Sequence, residues 1–270
     1  MNIFLTLVIF YVGAAFGSFL SVIVQRTQRK MSGILAGRSA CLHCKHQLGV
    51  MDLMPIVSYL ILWGKCRYCK KAIAPHYILM ELITGIVFAA LYLVFPFFIY
   101  TITSPYTAFS TPLLWEFLRY GVLSLVLLAI FFYDLLFQEI PDSFSLTGIL
   151  FTLLGNIALT SPPPLDFVIG ATAGFLFFFL QLIVSRGAWV GSGDVLLGIL
   201  MGMILGWKLL IVALFLSYII GTFVSIWLLA AKKATRKTKI PFAPFLVTGT
   251  ILAILFGNQI INWYVNTLLV

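Results

Sequence analysis

Two aspartates carry the strongest chemical signal. Asp134 stands in Phe131-Phe132-Tyr133-Asp134-Leu135-Leu136, and Asp194 in Gly191-Ser192-Gly193-Asp194-Val195-Leu196-Leu197, each at the edge of a long hydrophobic run. The chain holds only eight acidic residues, and a charged side chain at membrane depth costs roughly 2.5–3.5 kcal/mol on insertion scales. Two such carboxyls brought together could share one proton and activate a water molecule, which is the chemistry of aspartic proteolysis. They would titrate as a unit, because two carboxyls a few ångströms apart do not both ionise readily. Two unrelated interfacial acids, or two stations on a transporter's proton path, are the competing readings.

The second constellation is sulfur. All four cysteines fall in one polar stretch, as Cys41-Leu42-His43-Cys44 and Cys66-Arg67-Tyr68-Cys69, with 21 residues between the pairs. Two C-x2-C knuckles can close a tetrahedral four-thiolate zinc site. Lys45, Lys65 and Lys70 beside them favour the thiolate form. Disulfides and free thiols are the alternatives, and a reducing compartment disfavours the first. Four thiolates would fill the coordination sphere, so a zinc here would be structural.

The elements that must position these groups are membrane helices. The chain of 270 residues is 62% hydrophobic and 9% charged, with a mean hydropathy of +1.10. Its apolar runs reach the ~18–20 residues that cross a bilayer, and strand-like alternation is absent, so an all-α polytopic fold is expected. About eight spans are predicted, at 2–25, 77–99, 114–137, 143–160, 165–185, 192–206, 208–231 and 243–268. Gly206-Trp207-Lys208 is read as a tight hairpin between the sixth and seventh. The first run has no basic residue ahead of it and is followed by Arg26, Arg29 and Lys30, the reverse of a cleaved signal peptide.

Charge then orients the chain. With the N-terminus outside, the inner segments 26–76 and 232–240, together with Arg186, hold all 17 Lys and Arg residues except Arg119 and Lys208. That asymmetry follows the positive-inside rule. The net charge of +9 is therefore a topology marker rather than a sign of a nucleic-acid partner. The stretch Lys232 to Lys239 is read first as a solvated loop, with contact to anionic lipid headgroups of the bilayer as the alternative. Asp134 and Asp194 fall at the same, cytoplasmic, face. Asp142, after Pro141, suits a helix N-cap, and Glu139 is read as interfacial. Three parts follow: a first helix at 1–25, a cytoplasmic cysteine module at 26–76, and a membrane core at 77–270.

At this point the residues resemble a known family, the bifunctional type IV prepilin peptidases and N-methyltransferases. The resemblance runs through Gly17-Ser18-Phe19-Leu20, Gly37-Arg38-Ser39 before Cys41, Asp52-Leu53-Met54-Pro55, Ser58-Tyr59-Leu60, Gly64-Lys65-Cys66-Arg67, Glu81-Leu82-Ile83-Thr84-Gly85, Ile140-Pro141-Asp142 and Gly191-x-Gly193-Asp194. It implies a G-x-G-D aspartyl endopeptidase of the bacterial inner membrane, with Asp134 and Asp194 catalytic and Gly191 and Gly193 supporting. Its substrates would be prepilins or pseudopilins of pilus, secretion or competence systems. It also implies methylation of the new N-terminus from S-adenosylmethionine, for which Gly64, Lys65 and Glu81 are the candidate residues. Against the family pattern, Ser21 replaces Asn, Gln25-Arg26 replaces Tyr-Arg, Pro75-His76-Tyr77 replaces Arg-Tyr-Pro, and Leu196 replaces a frequent lysine.

Overall fold

In the computed structural model the chain is almost wholly helical: α1 (Ile3–Gln28), α2 (Val57–Ile61), α3 (His76–Val94), α4 (Thr111–Phe137), α5 (Asp142–Leu159), α6 (Pro164–Ser185), α7 (Ser192–Ala230) and α8 (Ala243–Leu268). The structure describes residues 3–30, 38–100, 107–159, 163–233, 235 and 238–268. Gly37, Ser104-Pro105, Ser161-Pro162 and Arg236-Lys237 lie outside them.

Six of these helices are long and apolar enough to cross a membrane. Boundaries follow from backbone chemistry. The third helix stops at Val94 rather than at 99, because Pro96 disfavours helical geometry at Phe95. Pro164 sits at the first position of α6, where its missing N–H leaves no bond unmade. Gln138 and Arg186 adopt positive φ (57° and 51°) just after α4 and α6, which ends both helices.

Between α3 and α4 an expected loop carries two short antiparallel strands, β1 (Phe98–Tyr100) and β2 (Thr107–Phe109), with Phe98 opposite Phe109. Three residues per strand are too few for the alternation that marks a strand in sequence.

α7 spans both the sixth and seventh expected segments, and Gly206 interrupts it at φ 70°, ψ 173°. In a straight helix Gly198 and Tyr218 would stand about 30 Å apart. Yet a side chain at Gly198 would strike the Phe178 ring, while Tyr218 packs edge-on against Phe177, centroids 6.0 Å apart. The chain therefore doubles back at Gly206, a conformation that glycine adopts without strain. The two legs match the segments 192–206 and 208–231. α5, of 18 residues, matches 143–160 and donates from Asn156 Nδ2 to the Met203 carbonyl (2.9 Å).

The chain forms two compact units, residues 1–125 and 126–270. In the first, α1 packs on α3 with glycines at the contact, since a methyl at Gly17 would meet the Met80 carbonyl and Glu81 Cα (2.7 and 2.8 Å). In the second, Gly170 and Gly174 of α6 meet Gly202 and Gly198 of α7 backbone to backbone. Small residues at such a seam let membrane helices approach closely.

Gly174→Leu should therefore lower the unfolding midpoint of the purified protein by several degrees, since its side chain must displace the Gly198 backbone. Gly121→Ala, whose added methyl meets only Phe88 ring atoms at 3.7–3.8 Å, should change it little. Scanning fluorimetry in detergent checks both.

Candidate active site and metal centre

Asp134 lies one turn from the end of α4 and Asp194 is the third residue of α7. They are 5% and 8% exposed, in a shell dominated by apolar side chains. Each is held by the free N–H of a helix start. Asp134 Oδ2 accepts from the Ala243 amide at the first residue of α8 (3.0 Å). Asp194 Oδ2 accepts from the Gly191 amide at the cap of its own helix (2.9 Å). Helix N-termini carry unpaired donors and a partial positive charge, so both ends serve as built-in anion sites. The two carboxylates are near enough to interact electrostatically.

The two glycines differ in role. A methyl at Gly193 would stand 2.7 Å from Ile140 Cβ, so this glycine admits the chain segment that follows α4. Gly191 is exposed, and a methyl there would touch only Asp194 Oδ2, at 3.8 Å. Asp142 is exposed and is itself the first residue of α5, one place inside the expected cap. An acid there still favours the positive helix end.

Residues not anticipated from sequence complete the surroundings. Pro241-Phe242-Ala243-Pro244 opens α8 and supplies the amide for Asp134. Tyr218, returned by the reversal at Gly206, donates from its hydroxyl to Gln181 Oε1 (3.1 Å), packs on Phe242 with centroids 5.4 Å apart, and lies within electrostatic reach of Asp194. The two prolines around a small residue, and a glutamine inside an apolar span, were the available signals.

In the other unit the four cysteine Sγ atoms lie within 4.8 Å of one another, with Cys41 and Cys69 3.9 Å apart. A tetrahedral ion with bonds of about 2.3 Å sets its sulfurs about 3.8 Å apart, so the donor set fits a metal. The two knuckles are backbone copies, 25 residues apart. The Cys41 amide donates to the His46 carbonyl and Lys45 to Cys41; likewise Cys66 donates to Lys71 and Lys70 to Cys66. Lys45 and Lys70 both take positive φ, 60° and 58°. One bridge flanks each knuckle, Ala40 with Gln47 and Lys65 with Ala72.

The two thiols of the first knuckle are pushed in opposite directions. The Cys44 amide stabilises the Cys41 thiolate and brings that thiol down to about 6. The His46 amide favours ionisation of Cys44, but burial and the neighbouring thiols outweigh it and push that pKa up to about 11. Asp52 braces the second knuckle, bonding Arg67 Nε (2.6 Å), the Tyr68 hydroxyl (3.3 Å) and the Gly49 amide (3.1 Å). Burial opposes its ionisation, yet the Gly49 amide and Arg67 prevail and hold its carboxyl below the usual carboxylate range.

Gly64 is buried with φ 66°, and a methyl on it would press on the Tyr59 hydroxyl at 2.9 Å. Lys65 beside it is exposed. Glu81 accepts from the Ile56 amide (2.7 Å) and from Ser18, so it links α1, α3 and the cysteine module. Its bonds run to those partners rather than to Gly64 or Lys65. Two departures from the family pattern touch each other, with Gln25 Nε2 3.2 Å from His76 Nε2.

Comparison with known proteins places relatives beside this geometry. A profile described as Bacterial Peptidase A24 N-terminal domain matches residues 11–95, and one described as Type IV leader peptidase family matches 121–226. A protein of Bacillus subtilis (strain 168) named prepilin leader peptidase/N-methyltransferase is 31% identical over 263 residues, 96% of this chain and 97% of its own. One of the same name from Aeromonas hydrophila is 31% identical over 245 residues, covering 87% of this chain and 77% of its own. A third, from Pseudomonas aeruginosa, is 29% identical over 280 residues, 94% and 91% of the two chains. No solved structure matches.

Proposed function

The chain belongs to the type IV leader peptidase family, and from that premise we propose that Asp134 and Asp194 are the catalytic pair of its proteolysis. It is a multi-pass membrane enzyme that cleaves the leader from type IV prepilins and methylates the N-terminus so exposed. The observation that carries the site assignment is the convergence of two buried carboxylates, each held through one oxygen by a helix-terminal amide.

That arrangement suits peptide hydrolysis. One carboxylate accepts a proton from water while its protonated partner donates to the scissile carbonyl. The water oxygen adds to the carbonyl carbon, and the tetrahedral adduct then expels the amine as a proton reaches its nitrogen. Both acids return to the state of one shared proton. Gly191 is exposed and has no side chain, so a substrate backbone can approach Asp194 beside it.

The eight-crossing topology, with residues 26–76 and 232–240 in the cytoplasm of a bacterium and the inner membrane around the rest, is part of the same reading. It is supported by the distribution of Lys and Arg. The leader cut at that face would be the basic one of a prepilin or pseudopilin. The cysteine module takes a structural zinc, held by Cys41, Cys44, Cys66 and Cys69. Methyl transfer from S-adenosylmethionine is assigned to the region of Gly64, Lys65 and Glu81. There Glu81 offers a half-buried carboxylate to a sulfonium or an amine.

Asp134→Asn and Asp194→Asn should each abolish leader cleavage while the protein still folds, because an amide oxygen keeps the bond to Ala243 or Gly191 but cannot cycle the proton. Asp142→Asn should retain most activity. Near-wild-type cleavage by either of the first two variants, assayed on a prepilin in detergent, overturns the dyad.

Purified protein should hold about one zinc per chain, as expected for one four-thiolate site, and Cys66→Ser should lower that content, read by elemental mass spectrometry.

The two activities should also fail separately, since the module and the dyad belong to different compact units. Gly64→Ala strains a positive φ and crowds Tyr59, so it should give cleaved but poorly methylated product by mass spectrometry. Loss of cleavage in the same variant would place the loop in the peptidase instead.

A further inference from the structure

The segment between the two knuckles turns its apolar side chains outward. A single 3-10 turn at Val50–Asp52 packs against α2. Val50 is 85% exposed and Trp63 is 87% exposed, and Met51, Leu60 and Ile61 are exposed as well. Two bulky residues flanking α2, Ile56 and Trp63, hold positive φ (63° and 53°). That conformation is strained for such side chains, and strain of this kind collects where a structure has a use for it. Exposed aromatic and aliphatic groups on a strained turn are not explained by packing within the module.

We infer that residues 50–63 form an interfacial ridge that dips into the lipid leaflet, with Val50, Met51, Leu60 and Ile61 among the acyl chains and Trp63 at headgroup depth. A lipid surface is the occupant for four reasons. First, the module leaves and re-enters the membrane through α1 and α3, so its span of chain is confined to the bilayer surface. Second, the Ile56 amide is bonded to Glu81. Glu81 lies five residues inside α3, about 7.5 Å along its axis at 1.5 Å per residue. The start of α2 is thereby held below the mouth of a membrane-spanning helix. Third, Leu79, on the opposite face of α3 from Glu81 but within one turn of it, is exposed, so α3 already presents apolar surface at this depth. Fourth, Lys45, Lys65, Arg67, Lys70 and Lys71, in or beside the two knuckles that flank this segment in sequence, are all exposed. An apolar face rimmed by cations is the pattern that binds anionic membranes, and tryptophan prefers the headgroup level.

The inference rests on the membrane reading above and is independent of which side the module faces. For the peptidase it would fix the cysteine module against the bilayer, so that the loop carrying Gly64 and Lys65 stays at the surface where a membrane-anchored substrate presents its new N-terminus.

The test uses the full chain reconstituted in vesicles of phosphatidylethanolamine and phosphatidylglycerol, with and without acyl-chain bromination in both leaflets. The emission of Trp63 is taken as the difference between the wild type and Trp63→Phe, whose unchanged unfolding midpoint in detergent confirms its fold. The expected result is that bromination quenches the Trp63 component roughly twofold, as for an indole at headgroup depth, while aqueous iodide leaves it largely intact. Quenching by iodide but not by bromine overturns the inference, because the ridge then faces water. Protection from both also overturns it, because a second copy or another protein surface then covers the patch. Bromine in both leaflets reads insertion in either orientation, so an error in the proposed topology cannot imitate these outcomes. Loss of the peptidase assignment would show in the aspartate variants and leave this quenching unchanged.

Discussion

The bond from the Ala243 amide to Asp134 ties together residues 109 positions apart in the chain, and much of the second unit is arranged around it. A carboxylate at 5% exposure needs a donor, and a helix beginning near hydrocarbon has donors without partners. Each deficiency removes the other. For the bond to form, the last turn of α4 must reach the first residue of α8. Asp194 must then come in on α7 without crowding either, which Gly193 permits by yielding its side-chain volume to Ile140. The reversal at Gly206 carries Tyr218 back to the same depth, where it closes the site with Gln181 and Phe242.

The first unit meets a different constraint. Residues 38–75 contain few buried side chains, with Cys66 and Pro55 among them, so apolar burial cannot hold this stretch together. Its order comes from repetition and bonding instead. Two knuckles share one backbone pattern, Asp52 braces one of them, and Glu81 fastens the turn at Ile56 to α1 and α3. Four thiols lie within 4.8 Å of one another, so the proposed zinc would add a cross-link that couples metal binding to folding of this loop.

What could be read from the sequence was whatever depends on neighbours along the chain. Apolar runs marked the helices, Gly206 marked the reversal, and the two C-x2-C pairs marked the cluster. The pairing of Asp134 with Asp194 came from counting spans and charges. Contacts between distant segments left no such trace. Nothing local in Pro241-Phe242-Ala243-Pro244 says that its amide serves Asp134, and nothing in Tyr218 says that it meets Gln181. The strand pair at Phe98 and Phe109 was too short to show a period. Ser21 and the changes at Gln25 and His76 looked like isolated departures. In the structure Ser21 bonds back to the Ser18 carbonyl, while Gln25 and His76 adjoin each other, so those two substitutions form one local rearrangement between α1 and α3.

The position of the proposed dyad also suits what hydrolysis needs. Deep in the bilayer there is no water to add to a peptide bond, and a backbone opened for cleavage would lose its hydrogen bonds. In bulk water the two carboxyls would be solvated separately and would have no reason to share a proton. Helix termini at the membrane edge lie between these limits. They are buried enough that two acids interact, close enough to solvent for water to enter, and equipped with amides that hold each carboxylate by one oxygen and leave the other free. A membrane protein that must hydrolyse a peptide is therefore led to build its acids into helix ends, and Asp134 near the end of α4 and Asp194 at the start of α7 are placed accordingly.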